Sequence, residues 1–310
     1  MTNEQYLKNL TTPTGPVDVV LDTDAFNEID DQYAIAYLLA CGEKLHIKGF
    51  CAAPFYNAHS DSPGDGMERS YHEIIKVLKL AGREELIAHT YRGSENYLAD
   101  EKTPVESESA DFMAKLADSY SPEKPLYIVA IGAITNVASA ILKNPRMVEN
   151  TVIVWLGGKG SHMPKGAEEF NMVQDIAAAR VVMGCGVPFV QLPCAGVVDH
   201  FATTAPELNF WLVDRNPLAD YLARNTIREA EGYAKGKPWS RVIWDVTAVA
   251  WLMNENSRFL RDRICPCPIP QYDGHYTLDP NNHWCCYVYA VDRDALMEEL
   301  FTRLLGDSEK

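Results

Sequence analysis

Residues 19–31 set five carboxylates directly behind a short apolar run. Val19, Val20 and Leu21 lead into Asp22, Thr23 and Asp24, and Glu28, Asp30 and Asp31 follow after a brief turn. No basic residue sits among them. Such a cluster repels itself when ionised, and a hard divalent cation with oxygen ligands is the simplest group to neutralise it. The apolar run reads as a strand. In an α/β sheet, ligands bind outside the carboxyl ends of the strands, where these acids fall. The fold must therefore bring further oxygen ligands to the end of that strand.

The rest of the chain alternates short apolar runs with helical patterns. Strands are expected over 17–24, 46–55, 86–91, 126–131, 152–156 and 188–192. Helices are expected over 30–41, 66–81, 107–119, 134–142 and 176–183. In the first of these, Ala34, Tyr37, Leu38 and Cys41 share one face. Strand alternating with helix implies an α/β fold with a single open, mostly parallel sheet and helices on both faces. No repeat or linker interrupts the 310 residues, so one domain is the simpler reading. Residues 1–16 read as an N-terminal extension. Residues 201–310 read as a more helical C-terminal part of the same domain, with helices over 218–231, 242–253 and 294–305. A Pro-rich turn is expected at 265–270, and a late pair of strands at 276–278 and 284–291.

Charge and cysteines narrow the setting. The net charge of −15 argues against a nucleic-acid-binding surface, which would show a basic patch. No apolar run approaches the roughly 20 residues that span a bilayer. The first residues lack the basic segment and apolar core of a signal peptide, so a cytoplasmic protein is expected. Cys265, Cys267, Cys285 and Cys286 lie close in sequence, but not at the two-residue separations of a structural zinc site. They read as reduced thiols, as do Cys41, Cys51, Cys185 and Cys194.

Three other segments offer ligands for a cation or a sugar. At 131–136 a strand end turns into a helix, where a backbone carbonyl can ligate a hard cation, or Thr135 can simply cap the helix. At 168–175, Asp175 is placed to cap the following helix. Glu169 and Asn171 are then left to meet hydroxyl groups. At 243–250, Asp245 opens an apolar helix. Alone it reads as an N-cap, and it becomes a metal ligand only together with the other sites.

These residues together resemble the inosine-uridine-preferring nucleoside hydrolases. The hallmark is Asp22-Thr23-Asp24 followed by Asp30-Asp31. Asn57, Thr135-Asn136, Gly157-Gly158, Glu169-Phe170-Asn171 with Asp175, and Asp245 follow in the family's order, across residues 17–255. The resemblance implies cleavage of the N-glycosidic bond of a ribonucleoside or related ribosyl compound, giving ribose and free base. It implies a calcium ion held by Asp24, Asp31, the Thr135 carbonyl and Asp245. The ion would lower the pKa of its water, and Asp24 would take the proton as general base. Carboxylates and amide oxygens near the ring would stabilise the developing positive charge. Asn57, Glu169, Asn171 and Asp30 would bind the ribose. Homodimers or tetramers are expected by the same resemblance, with a small ribosyl compound as the only partner and neither nucleic acid nor membrane.

The chain departs from the family pattern in three places. Five residues, Ala25 to Ile29, stand between Asp24 and Asp30 where three are usual. Asn27 and Glu28 then either face the pocket or, for Glu28, sit in the first helical turn. Trp244 stands where many members carry the histidine that protonates the leaving base. It can stack on an aglycone but cannot deliver a proton at neutral pH, and His162 and His200 have no positional support for that role. The asparagine expected after Gly157-Gly158 is not found. Two other readings follow. A non-catalytic calcium- and ribosyl-binding protein would keep the landmarks without turnover. An aspartyl phosphatase of the haloacid-dehalogenase type also begins with a strand and Asp-x-Asp, but Phe26 stands where it expects Thr or Val.

Overall fold

The computed structural model describes residues 1–306; the last four residues of the expected 201–310 part lie outside that range. Eight strands form one open sheet. Six of them are β1 (Val17–Thr23), β2 (Leu45–Ala52), β3 (Thr90–Tyr91), β4 (Leu126–Ala130), β5 (Thr151–Leu156) and β6 (Phe189–Leu192). The spatial order is β3-β2-β1-β4-β5-β6, continued by the strands Trp284–Val291 and Leu260–Pro266. Every neighbouring pair is parallel except the last, which is antiparallel. The chain winds outward from β1 in one direction and from β4 in the other. A crevice therefore opens at the carboxyl ends of β1 and β4, the switch point where such sheets bind ligands.

Period-two alternation sorts the strands' side chains onto two cores. Val19 and Leu21 join one core with Val129, Val154 and Val190, covered by the helices Asp30–Ala40, Val246–Leu252 and Arg293–Leu305. Val20 joins the other with Ile128, Ile153 and Phe189, under the helices Glu108–Leu116, Thr135–Lys143 and Ile176–Gly184. Burial on both faces explains why β4 and β5 read as continuous apolar runs.

Three expectations are corrected. The 86–91 strand is a 3-10 turn, Glu84–His89, followed by the two-residue β3 at the sheet edge. Leu86 reaches the core from that turn, so its burial needs no ladder. The 242–253 helix begins only at Val246, because Arg241–Val242 pairs antiparallel with Ala202–Thr203. The 276–278 and 284–291 segments do not pair. Tyr276–Thr277 meets Ile269–Pro270, while Trp284–Val291 enters the main sheet, where Cys285 to Val288 are buried in succession. Its partner Leu260–Pro266 escaped the sequence reading because Arg261, Asp262 and Arg263 make it look polar. Charges on an exposed edge strand guard against edge-to-edge pairing. Within the 1–16 extension, Asn3–Asn9 is helical, with Thr2 as its N-cap.

Candidate active site

β1 delivers Asp22 and Asp24 to the switch point in different roles, with Thr23 between them. Asp22 Oδ1 accepts a hydrogen bond from Asn136 Nδ2 at 2.8 Å, tying β1 to the start of the Thr135–Lys143 helix. Burial pushes its carboxyl up to about 7, against that hydrogen bond. Thr23 Oγ1 donates to Asp31 Oδ1, holding the start of the Asp30–Ala40 helix against the strand end. Asp24 packs against Gly132 so closely that a Cβ there would lie 2.7 Å from Asp24 Oδ1. Only glycine fits between the two strand ends.

Four carboxylates converge with almost no solvent contact: Asp24, Asp30, Asp31 and Asp245 are at most 3% exposed. Ligand oxygens of Asp30, Asp31 and Asp245 lie within 4.8 Å of one another. Burial first and neighbouring aspartate charges second push Asp24, Asp31 and Asp245 well above the usual carboxylate range. Asp30 rises to about 7 through burial and the charge of Glu28, with Arg241 opposing. Asp24 Oδ2 is buried without a hydrogen-bond partner. Asp245 occupies the N-cap position of its helix, yet its side chain makes no capping bond. A hard cation meets all of these needs: it neutralises the repulsion, occupies the orphaned oxygen and takes oxygen ligands.

A cavity of about 420 Å³ opens beside the cluster, a size suited to a small organic ligand. Its wall includes Asp24, Asp30, Asp31, Glu169, Asn171, Trp244 and Asp245, so most of the expected site residues meet there. Asn27 and Glu28 also line it, which places the long Ala25–Ile29 loop on the wall. Glu28 Oε2 accepts from Arg241 at 2.8 Å, and Arg241 also reaches Glu229 at 3.5 Å. The Arg241 guanidinium stands 5.4 Å from the Trp244 ring.

Glu169 and Asn171 reach the cavity from a capped helix start. Glu169 caps the short Phe170–Gln174 helix. Its carboxylate accepts from the backbone N–H groups of Gly158 (2.8 Å), Asn171 (2.9 Å) and Met172 (3.2 Å). Asn171 spends its amide hydrogens on the carbonyls of Ile131 and Leu156, both at 3.1 Å, so it offers the cavity its carbonyl oxygen. Asp175 caps its helix through Ala178 N–H, as expected. It also accepts from Leu98 N–H and the Thr135 hydroxyl.

Two expected residues stand back from the cavity wall. Thr135 is fully buried, and Ile134 rather than Thr135 holds the N-cap position of its helix. Its hydroxyl is committed to Asp175 at 2.7 Å, which leaves its backbone to act as a ligand. Asn57 reaches the wall only through Asn27, to whose Oδ1 its Nδ2 donates at 2.6 Å. His200 is largely exposed beside Asp199, and neither it nor His162 lines the cavity. Sequence reasoning passed over Arg241 and Gly132. Neither carries a motif, and each matters only through a contact made by folding.

The chain belongs to the inosine-uridine preferring nucleoside hydrolase family, whose model matches residues 19–298. That is a family of N-glycosyl hydrolases. The pyrimidine-specific ribonucleoside hydrolase RihA of Salmonella paratyphi A is 28% identical over 264 residues, covering 76% of this chain and 79% of that protein. The probable uridine nucleosidase 2 of Arabidopsis thaliana is also 28% identical, over 137 residues that span 43% of this chain and 41% of that protein. Among solved structures, the purine-preferring ribonucleoside hydrolase from Gardnerella vaginalis shares the fold with a TM-score of 0.74. It is 19% identical, and the match covers 93% of this chain and 98% of that one.

Proposed function

We propose that this chain hydrolyses the N-glycosidic bond of a ribonucleoside or related ribosyl compound, with calcium as its metal. The observation that carries the reading is the convergence of Asp24, Asp30, Asp31 and Asp245, buried and without a cation of their own, at the edge of a ligand-sized cavity. Asp24, Asp31, Asp245 and the Thr135 carbonyl would hold the ion, with Asp30 beside them. When bound, calcium supplies neutralisation of the cluster and a more acidic water next to it.

The chain's own residues supply the rest. The Asp24 carboxylate takes the proton of the attacking water as that water's oxygen bonds to the anomeric carbon. The bond to the base breaks, and positive charge grows on the ribosyl ring. Asp30, Glu169 and the carbonyl oxygen of Asn171 face that charge and stabilise it. Glu169 and Asn171 are held by backbone hydrogen bonds before the sugar arrives, so little reorganisation is needed. A cytoplasmic location and assembly into dimers or tetramers belong to the same proposal. Among the described residues no helix is long and apolar enough to cross a membrane.

The test is reducing-sugar release from purine and pyrimidine ribonucleosides, with calcium and with chelator. Calcium-dependent release that disappears in Asp24→Asn is the expected result; undiminished release in that variant sinks the assignment. One observation favours a second reading, a ribosyl-binding protein without turnover: none of the eight histidines lines the cavity. Thermal stabilisation by a ribonucleoside with no product would support it.

A further inference from the structure

We propose that, given the hydrolase reading above, the site is built for ribosides whose aglycone is a cationic aromatic ring joined through a ring nitrogen, an N-ribosylpyridinium being the simplest case. Three observations converge on it. The first is the absence of the histidine that protonates the base in many family members: neither a histidine nor a tyrosine lines the cavity, and Trp244 stands in that place. A neutral base departs as an anion unless it is protonated. A quaternary aglycone takes the bonding pair and departs neutral, so it needs no proton.

The second is the charge of the wall. Eight carboxylate residues line the cavity against a single lysine, Lys159. Four of them form the cation cluster, and the others are Glu28, Glu168, Glu169 and Asp199. Glu28 shares Arg241 with Glu229, which leaves that trio with one net negative charge. Glu169 is held by backbone N–H groups and the Cys194 thiol and has no cationic partner. Glu168 is paired with Lys165, and Asp199 lies beside His200. A wall of this sign attracts a cation and repels an anion, so it disfavours a base departing with negative charge. The third is Trp244, a flat ring on the same wall that already stands 5.4 Å from one cation, Arg241. Tryptophan is the best of the aromatic side chains for receiving a cationic ring.

The step balances. The bond between C1′ and the ring nitrogen breaks, and its electron pair goes to the nitrogen, cancelling the positive charge of the aglycone. The water oxygen bonds to C1′, and its proton goes to Asp24. Ribose and a neutral pyridine leave.

The experiment compares kcat/KM for five ribosides with calcium present: nicotinamide riboside, nicotinate riboside, inosine, uridine and p-nitrophenyl riboside. The two pyridinium ribosides share a ring and differ by one carboxylate, so their ratio reads the charge of the wall. Nicotinamide riboside is expected to exceed nicotinate riboside, inosine and uridine by at least about tenfold. Trp244→Leu should lower kcat/KM for nicotinamide riboside by about 2- to 30-fold, the range of a cation–π contact. Glu28→Gln, which removes a wall charge without touching the indole, should narrow the ratio of the two pyridinium ribosides. Nicotinate riboside, inosine or uridine turned over as well as nicotinamide riboside overturns the proposal. Cleavage of p-nitrophenyl riboside, which leaves without an acid, keeps the hydrolase reading intact in that event. If all five ribosides are inert, the hydrolase reading fails and this proposal falls with it.

Discussion

Asp175 and Asp245 each occupy the N-cap position of a helix, and they are used in opposite ways. Asp175 caps: one oxygen accepts Ala178 N–H, and the other accepts Leu98 N–H and the Thr135 hydroxyl. Asp245 makes no capping bond and faces Asp30 and Asp31 instead. The contrast extends to the two walls. On the Glu169–Asp175 side the carboxylates are satisfied by backbone donors. On the Asp24–Asp31 side they are satisfied mainly by nothing the chain supplies, and burial with mutual repulsion drives their pKa values up. One set of acids has its oxygens occupied by the fold, whereas the other is left with buried repulsion that costs stability unless a cation offsets it.

Changing one acid of the second set should therefore damage activity and spare the fold. Asp24→Asn is expected to lower kcat by about 10²- to 10⁴-fold, the usual contribution of a general base. Its melting temperature in chelator should match or exceed that of the parent chain, because one buried like charge is gone. A collapse of stability in this variant would place Asp24 with the structural acids.

Calcium itself gives the next largest effect. A ligand that binds only the folded state, at one hundred times its Kd, adds about 2.7 kcal/mol of stability. Scanning calorimetry with calcium and with chelator reads this directly. An unchanged transition at millimolar calcium would remove the metal from the account.

The two caps can then be set against each other by isosteric change. Asp175→Asn turns an amide NH₂ toward a buried donor, and is expected to cost about 1–3 kcal/mol in denaturant titration. Asp245→Asn, in chelator, removes a charge without removing a cap, and should cost nothing or stabilise. Equal losses in the two variants would erase the distinction between the walls.

How much of this the sequence disclosed follows from the same distinction. The sheet was legible because β1, β4 and β5 are apolar runs of strand length, each followed by a helix. The Asp24, Asp30 and Asp31 cluster was legible because the acids are near neighbours in the chain and have no basic residue among them. Asp245 lies more than 200 residues away, and only the family's order of landmarks linked it to them. The strand Leu260–Pro266 was hidden because its charges serve an exposed edge rather than a core. Arg241 was hidden because its role is a contact with Glu28 across 213 positions, and no local pattern announces it. The backbone bonds that occupy Glu169 were missed for a similar reason. The loop that brings Gly158 N–H to it is set by folding, not by spacing.

The smallest effect is a slope of stability with pH. Asp22 and Asp30 have carboxyls pushed up to about 7 in the folded chain, from an ordinary value of 3.8, chiefly by burial. Between those values the folded state holds more protons than the unfolded one, so this contribution to stability is present in acid and is lost as pH rises through about 7. In chelator, the melting temperature should therefore fall by a few degrees between about pH 5 and pH 8. Calcium competes with protons for the raised carboxylates of Asp24, Asp31 and Asp245, so its stabilising increment should be larger at about pH 8 than at about pH 5. Burial also raises the carboxyls of Glu169 and Asp175 despite their donors, so those acids add a slope of the same sign. A calcium-free chain that becomes more stable toward alkaline pH would mean that these buried acids are not raised by the fold, and that the Asp24–Asp31 wall is not reserved for a cation.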